Sequence, residues 1–408
     1  MDKKNDPMIR FHNYKELWEY DRLKNIFRTI RNAFVGTATP YYVEKGHFYL
    51  ESNNVKNGKI NYNSQIFIND EFYEKQRDKW LKTNDIVMVQ SGHVGHTAVI
   101  PKELNNTAAH ALIVFTDYKK EVNPHFLNYQ FQSSSKRKEL DLISTGNTIK
   151  HILASEMKSF KMDFPTVEEQ SAIGSLFRTL DDLLTSYKDN LTNYQSLKTS
   201  MLSKMFPKVG QTVPEIRLDG FEGEWEVVSL GTLIENYDEM ISGASGFPIA
   251  TSSRKGLYLQ NDYFEGGRTG IDLTLDFHRV PMGYVTYRHM SDDSIFKFNK
   301  NNFETDILVS KEYPVFINND NSDIDFLLYH LNNSRLFLRF STMQKLGGTR
   351  VRLYYKNLIT YKLAVPTVKE QQTIGTYFSN LDQLITSYQQ KISQLETLKK
   401  KLLQDMFI

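Results

Sequence analysis

Three stretches of this 408-residue sequence carry side chains at spacings that invite chemistry. Gly92-His93-Val94-Gly95-His96 sets two imidazoles three residues apart, the beginning of a metal site. The flanking glycines imply a turn, and neither a third His nor a nearby Glu completes a ligand set. Asn123-Pro124-His125-Phe126 comes within one residue of the Asn-Pro-Pro-aromatic motif of amino-methyltransferases. His replaces the second Pro, and no Gly-rich loop suited to S-adenosylmethionine accompanies it, so a turn leading into a helix is the better reading. Glu156-Met157-Lys158 has the Glu-x-Lys of a metal nuclease without an upstream Pro-Asp, and Ile359 stands at the corresponding place of Lys158 in the second half. It reads as a surface pair. A Gly-x-x-x-x-Gly-Lys-Ser/Thr phosphate loop and a Gly-x-Ser-x-Gly elbow are both missing from the sequence. Zero cysteines exclude a disulfide framework, a thiolate metal site and a cysteine nucleophile. The expectation is a chain with no catalytic residue, no metal and no cofactor of its own.

The elements that hold these residues are organised by a duplication. Pro165-Thr166-Val167-Glu168-Glu169-Gln170 returns as Pro366-Thr367-Val368-Lys369-Glu370-Gln371, and the ungapped match from Pro165–Phe206 to Pro366–Phe407 has 19 identities in 42 positions. Fainter echoes pair Pro7, Ile9, Arg10 and Trp18-Glu19 with Pro214, Ile216, Arg217 and Trp225-Glu226, and Gly146-Asn147-Thr148 with Gly347-Gly348-Thr349. A period near 200 residues is too long for a solenoid and predicts a two-fold pseudo-repeat. Composition is ordinary for a globular chain: 40% hydrophobic, 24% charged, net charge +2. That balance neither announces nor excludes a nucleic-acid partner, because a binding groove needs only a local cluster of cations. The opening Met-Asp-Lys-Lys-Asn-Asp-Pro lacks an apolar h-region, and no run of about 18 apolar residues follows, so neither a signal peptide nor a membrane span is expected and the chain is placed in the cytoplasm.

Both repeated segments read as helices. Thr166 with Glu169, and Thr367 with Glu370, form capping boxes. Behind them Ile173, Phe177, Leu180, Leu184, Tyr187 and Leu191, and then Ile374, Phe378, Leu381, Ile385, Tyr388 and Ile392, step by four and three. A 3.5-residue period over about four heptads is a coiled-coil seam, and each copy is the natural partner of the other. The predicted fold is α+β: two mixed α/β domains, residues 1–163 and 207–364 (the latter including a linker), alternating with helical regions 164–206 and 365–408. Strands are expected at Ile86–Val89, Ala111–Phe115, Tyr284–Tyr287 and Asp306–Val309, and short helices near Phe126–Gln132 and Asp325–Leu331.

Pro-Thr-Val-x-Glu-Gln-x-x-Ile-Gly…Phe…Leu-Asp, twice, each time ahead of a long heptad helix, resembles the conserved regions of the specificity subunit of Type I restriction–modification systems. The openings Ile216-Arg217-Leu218-Asp219-Gly220-Phe221-Glu222-Gly223-Glu224-Trp225 and Ile9-Arg10-Phe11…Trp18 are similar to that family's domain starts; Asn13-Tyr14-Lys15-Glu16 departs from the favoured Gly-Phe-x-Gly. The resemblance implies two target recognition domains, each reading half of a split, asymmetric double-stranded DNA sequence. It implies an antiparallel coiled coil that spaces them and docks two modification subunits, which carry S-adenosylmethionine and methylate adenine. Two restriction subunits would add translocation and cleavage driven by ATP with Mg. A stand-alone adenine methyltransferase and a coiled-coil adaptor without a DNA role are the alternatives.

On that reading, DNA contacts should come from donor-bearing loops. In the first domain these are Ser91, His93 and His96 in the Gly-flanked turn, with Asn147, Thr148 and Lys150 after Gly146. In the second they are Arg288 and His289, with Lys345, Thr349, Arg350 and Arg352 around Gly347-Gly348.

Overall fold

A computed structural model describes residues 6–146, 150–263, 272–345 and 350–408. The chain forms two compact units, Met1–Asp189 with Gln390–Ile408, and Asn190–Gln389. Each unit therefore joins a globular part to the start of one long helix and the end of the other.

Each unit has its own four-stranded sheet, and the two sheets have the same strand order. In unit 1, β1 (Phe27–Asn32), β2 (Ile86–Val89), β3 (Thr97–Val99) and β4 (Leu112–Tyr118) lie in the order β1-β4-β2-β3, all antiparallel. In unit 2, β5 (Ile234–Tyr237), β6 (Val285–Tyr287), β7 (Phe298–Lys300) and β8 (Val315–Asn318) repeat it as β5-β8-β6-β7. Every residue of β2 is buried, as its unbroken Ile-Val-Met-Val run requires of a strand covered on both faces. Helices α1 (Pro124–Gln132) and α2 (Ser134–Ile143) follow in unit 1; α4 (Ile324–Asn333) and α5 (Arg335–Met343) follow in unit 2. The long helices are α3 (Val167–Lys204) and α6 (Val368–Asp405), 38 residues each and so roughly 57 Å long.

The Asn-Pro-His-Phe stretch is the cap of α1. The Asn123 side chain accepts from the N–H groups of His125 (3.0 Å) and Phe126 (3.1 Å), satisfying two orphan donors. Asp323 does the same for Phe126's counterpart, Phe326, at the head of α4. Both caps dock on the long helices where Gly174 and Gly375 leave room: a Cβ there would stand 2.9 Å from Asn123 Oδ1 and 2.7 Å from Asp323 Oδ1. Gln170 and Gln371 complete the joints, each accepting the backbone N–H of the cap residue.

The capping boxes close only by half. Thr166 and Thr367 accept from the N–H groups of Glu169 and Glu370 (3.4 Å each), but the carboxylates do not return to the threonines. They turn to Arg10 and Arg217, each of which donates through Nε (2.8 Å) and Nη2 (2.7 Å). A buried carboxylate gains more from a charged, bidentate donor than from one backbone N–H, and Glu169 and Glu370 are 0% and 1% exposed. Glu156 keeps a capping role, accepting the Leu153 N–H (2.8 Å) at the short helix Ala154–Met157.

The heptad stripe serves two partners rather than one. Its first turns pack on the globular part of their own unit: Phe177 stacks on Tyr129 (centroids 4.9 Å apart), and Ile374 and Phe378 join the unit 2 core. Ile173, Leu180, Leu184, Leu381 and Ile392 are buried; Tyr187, Leu191, Ile385 and Tyr388 are half-buried. Beyond those first turns the helices meet each other. In unit 1, Lys399 donates to Asp181 (2.6 Å) and Lys188 pairs with Glu396 (2.6 Å). In unit 2, Lys198 pairs with Asp382 and Tyr194 lies against Tyr388 (5.3 Å). Rising numbers on α3 meet falling numbers on α6, the expected antiparallel order.

Each unit is closed by the end of the helix that starts in the other. Phe407 lies against Trp18, Phe126 and Phe177 in unit 1. Phe206 lies against Trp225, Phe326 and Phe378 in unit 2.

Candidate nucleic-acid interface

The loop between β2 and β3 and the segment that follows α2 are stitched together by backbone bonds. Ile152 N–H donates to Gln90 O (3.0 Å), Gly92 N–H to Lys150 O (3.1 Å), and Thr145 and His151 exchange bonds of 2.9 and 2.8 Å. Ser91, His93, His96 and Lys150 are thereby assembled from positions up to 59 residues apart on one platform. Gly92 (φ +79°) and Gly95 (φ +77°) hold the turn in the left-handed region, and a Cβ at Gly92 would meet nothing within 4 Å. Backbone there is open to a close approach by a ligand. Asn147 and Thr148 lie outside the described residues.

Individual side chains differ in what they offer. His93 is exposed. His96 is half-buried, and its Nδ1 accepts from the Asn57 N–H (3.2 Å) and from Arg137 Nη2 (3.4 Å). Burial, with Arg137, His93 and Lys56 adding repulsion, pulls its pKa down to about 4, so at neutral pH His96 is an uncharged donor through Nε2 rather than a phosphate-neutralising cation. Lys150 is exposed and steadied by Asp141 (2.9 Å).

Unit 2 repeats the platform with other side chains. Leu353 N–H donates to His289 O (2.8 Å), and Met290 and Ser291 pair with Arg352 and Val351. Gln90 with Ile152, and His289 with Leu353, are thus equivalent joints. Arg288, Lys345, Arg350 and Arg352 are exposed, and Arg350 donates through Nε to Asp292 (2.8 Å). Thr349 lies outside the described residues. His289 is removed from the surface set: it is 3% exposed, stacked on Tyr354 (5.6 Å), and pushed by burial below the usual histidine pKa. It lies next to the exposed Arg288 in the two-residue connection between β6 and the strand Met290–Ser291.

A cleft of about 940 Å³ opens beside this platform, lined by Arg254, Lys255, Arg288, Lys297 and Arg350 with Asp292 and Asp293. Five cations against two carboxylates make it a local basic site on a chain of near-zero net charge. In unit 1, Lys56, Lys59 and Arg137 line a cleft of about 710 Å³ that reaches α3 and α6. No local pattern in the sequence marks Lys56 or Arg137, and the signal for Arg254 is a basic pair, Arg254-Lys255, ahead of Gly256 in a candidate turn.

Among the described residues no group of three or more His, Asp or Glu is placed to hold a metal ion, and no helix is long and apolar enough to cross a membrane.

The family model for the Type I restriction modification DNA specificity domain matches residues 15–221 and 256–397. Among curated proteins the chain is similar to a putative type I restriction enzyme MjaX specificity subunit of Methanocaldococcus jannaschii, 23% identical over 95% of this chain and 92% of that protein. It is also similar to the type I restriction enzyme MjaVIII specificity subunit of the same organism, 21% identical over 96% and 94%. Among solved structures, the crystal structure of a Type-I restriction-modification system S subunit from M. genitalium superposes with a TM-score of 0.60 at 14% identity, covering 99% of each chain; that likeness is one of fold.

Proposed function

The chain belongs to the Type I restriction modification DNA specificity family, and we propose that its two units each read one half of a split, asymmetric DNA sequence. The observation that carries this reading is the repeated platform. The same backbone joints, Ile152 to Gln90 and Leu353 to His289, present Ser91, His93 and Lys150 in one unit and Arg288, Arg350 and Arg352 in the other. Like scaffolds hold like positions against the duplex, whereas unlike side chains read unlike bases. Lysines and the exposed loop backbone serve phosphates; arginines and the small polar residues serve base edges. Asn147, Thr148, Lys345 and Thr349 belong to the same proposed contact set.

On this reading the chain itself is non-catalytic. Methylation of adenine belongs to modification subunits that bring S-adenosylmethionine, and cleavage to restriction subunits that bring ATP and Mg, all assembled on this chain. Support comes from family membership and from the absence of a catalytic motif in the sequence.

Mapping modified adenines across a genome with and without this gene tests the reading. One bipartite motif should vanish with the gene. Replacing residues 1–163 by the corresponding part of another family member should then change one half of the motif and leave the other. Change in both halves would refute modular reading, and methylation by the purified chain alone would refute the non-catalytic role.

A further inference from the structure

Next to the platform of unit 2 stands a two-stranded ribbon, Ala250–Ser253 paired with Gly256–Leu259, whose turn consists of Arg254 and Lys255. Arg254 is the most firmly held cation of the basic cleft. Its Nη1 donates to Asp293 Oδ2 (2.8 Å) and its Nη2 to Asp293 Oδ1 (2.5 Å), with a longer contact from Nη2 to Ser291 Oγ (3.4 Å). Asp293 is fixed in turn, because its Oδ1 also accepts from Ser291 Oγ (2.9 Å) and from the Ile295 N–H (3.1 Å). Ser291 belongs to the strand pair that builds the platform. The guanidinium is thus locked to the platform while its side chain remains 55% exposed.

A pair this exposed does little for stability, so its two-point geometry calls for another account. Gripped end-on through both terminal nitrogens, the guanidinium keeps its side edge, Nε–H and the second N–H of Nη2, directed away from the carboxylate, with the long Ser291 contact (3.4 Å) on Nη2 weak enough to yield to a base. Those two parallel donors match O6 and N7 of guanine in the major groove, and a two-stranded ribbon is of a size the major groove admits. Arg350, by contrast, touches Asp292 through Nε alone, which occupies that edge. Unit 1 also places a two-stranded ribbon beside its platform, held there by backbone rather than by a guanidinium. Its ribbon, Val55–Lys56 with Lys59–Ile60, turns at Asn57-Gly58, and Asn57 N–H reaches the platform at His96.

We propose that Arg254 reads a guanine in the half-site of unit 2, and that Asp293 is its positioning residue. The proposal rests on the reading of unit 2 as a DNA reader and adds to it one residue, one base and one groove.

The test uses the chain assembled with its modification subunits. Methylation rates are compared on duplexes carrying every single-base change across the mapped target. Arg254→Ala should lower discrimination roughly tenfold or more at one G·C pair of one half-site, leaving the other half-site as it was. Arg254→Lys should not restore it, since a lysine lacks the planar fork. Asp293→Asn should weaken discrimination at the same base pair by a smaller factor. If the wild-type assembly has no bipartite target, the function proposed above fails. If the target maps normally and Arg254→Ala keeps every base preference, this inference alone is overturned. A uniform loss at all positions with a shallower salt dependence would make Arg254 a phosphate contact and overturn it as well.

Discussion

Replacing Phe407 with alanine removes a ring that is 5% exposed and sits against Trp18 (6.4 Å), Phe126 (5.6 Å) and Phe177 (5.7 Å). Truncating a buried Phe costs about 3–5 kcal/mol, the lost transfer energy plus the cavity left behind. In a unit of roughly 200 residues each 1 kcal/mol moves the melting temperature by about 2–4 °C, so unit 1 should melt roughly 6–20 °C lower. Hydrogen exchange resolves where the loss falls. β4, Leu112–Tyr118, should lose protection, while β8, Val315–Asn318, should keep it, although position 407 is nearer in sequence to β8. Phe206→Ala is the reciprocal variant and should lower unit 2 instead, by less, because Phe206 is only half-buried. In the assembled complex, Phe407→Ala should first lose the half-site read by unit 1. Unchanged protection in unit 1, or equal loss in both units, would refute the exchange of helix ends described above.

Gly174→Ala should destabilise unit 1 by about 1–3 kcal/mol despite alanine's better helix propensity, because the new methyl would press on the Asn123 cap; urea unfolding measures it. Glu169→Gln should cost about 2 kcal/mol by removing the buried, bidentate partner of Arg10 and leaving it only the exposed Asp6 as an ion-pair partner, and the double variant Arg10→Met with Glu169→Met should recover most of that. His330 is fully buried and pulled by burial to about 4 from an ordinary value near 6.5. Its neutral form belongs to the folded state, so the unfolded chain takes up more protons between those values. Stability from this group is whole above pH 6.5 and is lost as pH falls toward 4, by roughly 3 kcal/mol. A pH series of unit 2 melting should show that slope, and His330→Gln should flatten it.

What the sequence makes legible is whatever repeats at short range. The stripe from Ile374 to Ile392 and the alternation or apolar runs of β2 and β4 depend on neighbours three, four or two residues away, and those periods survive in the fold. The strand start at Leu112 rather than Ala111 has a local cause too, since Ala111 takes a left-handed φ of +54°. Arg10 and Glu169 are 159 residues apart, and no local pattern predicts that a carboxylate placed for a capping box will be taken by a distant guanidinium. For the same reason the stripe's first turns could be read as seam but not assigned to Tyr129 or Phe326. The platforms were legible as loops with donors. Which face each donor takes was not: His289 and Arg288 are adjacent in sequence and opposite in environment, and Arg254 enters the site only once a ribbon 37 residues upstream is laid against Ser291.

The exchange of helix ends sets an order of events on the ribosome. Unit 2 is continuous from Asn190 to Gln389, so all of its parts have been synthesised before residue 390 is added. Unit 1 begins first but lacks residues 390–408, and with them Phe407, the Lys399 partner of Asp181, and Asp405, whose carbonyl accepts the Ile9 N–H (2.9 Å). At about 5–20 residues per second, the 200 residues that separate Asp189 from Gln390 take roughly 10–40 s to make. Throughout that interval the ring that packs against Trp18, Phe126 and Phe177 has not yet been made. The reader encoded first is the one whose last residues are made last, and a chain stalled just after Gln389 would contain every residue of the second reader while lacking the end of the first.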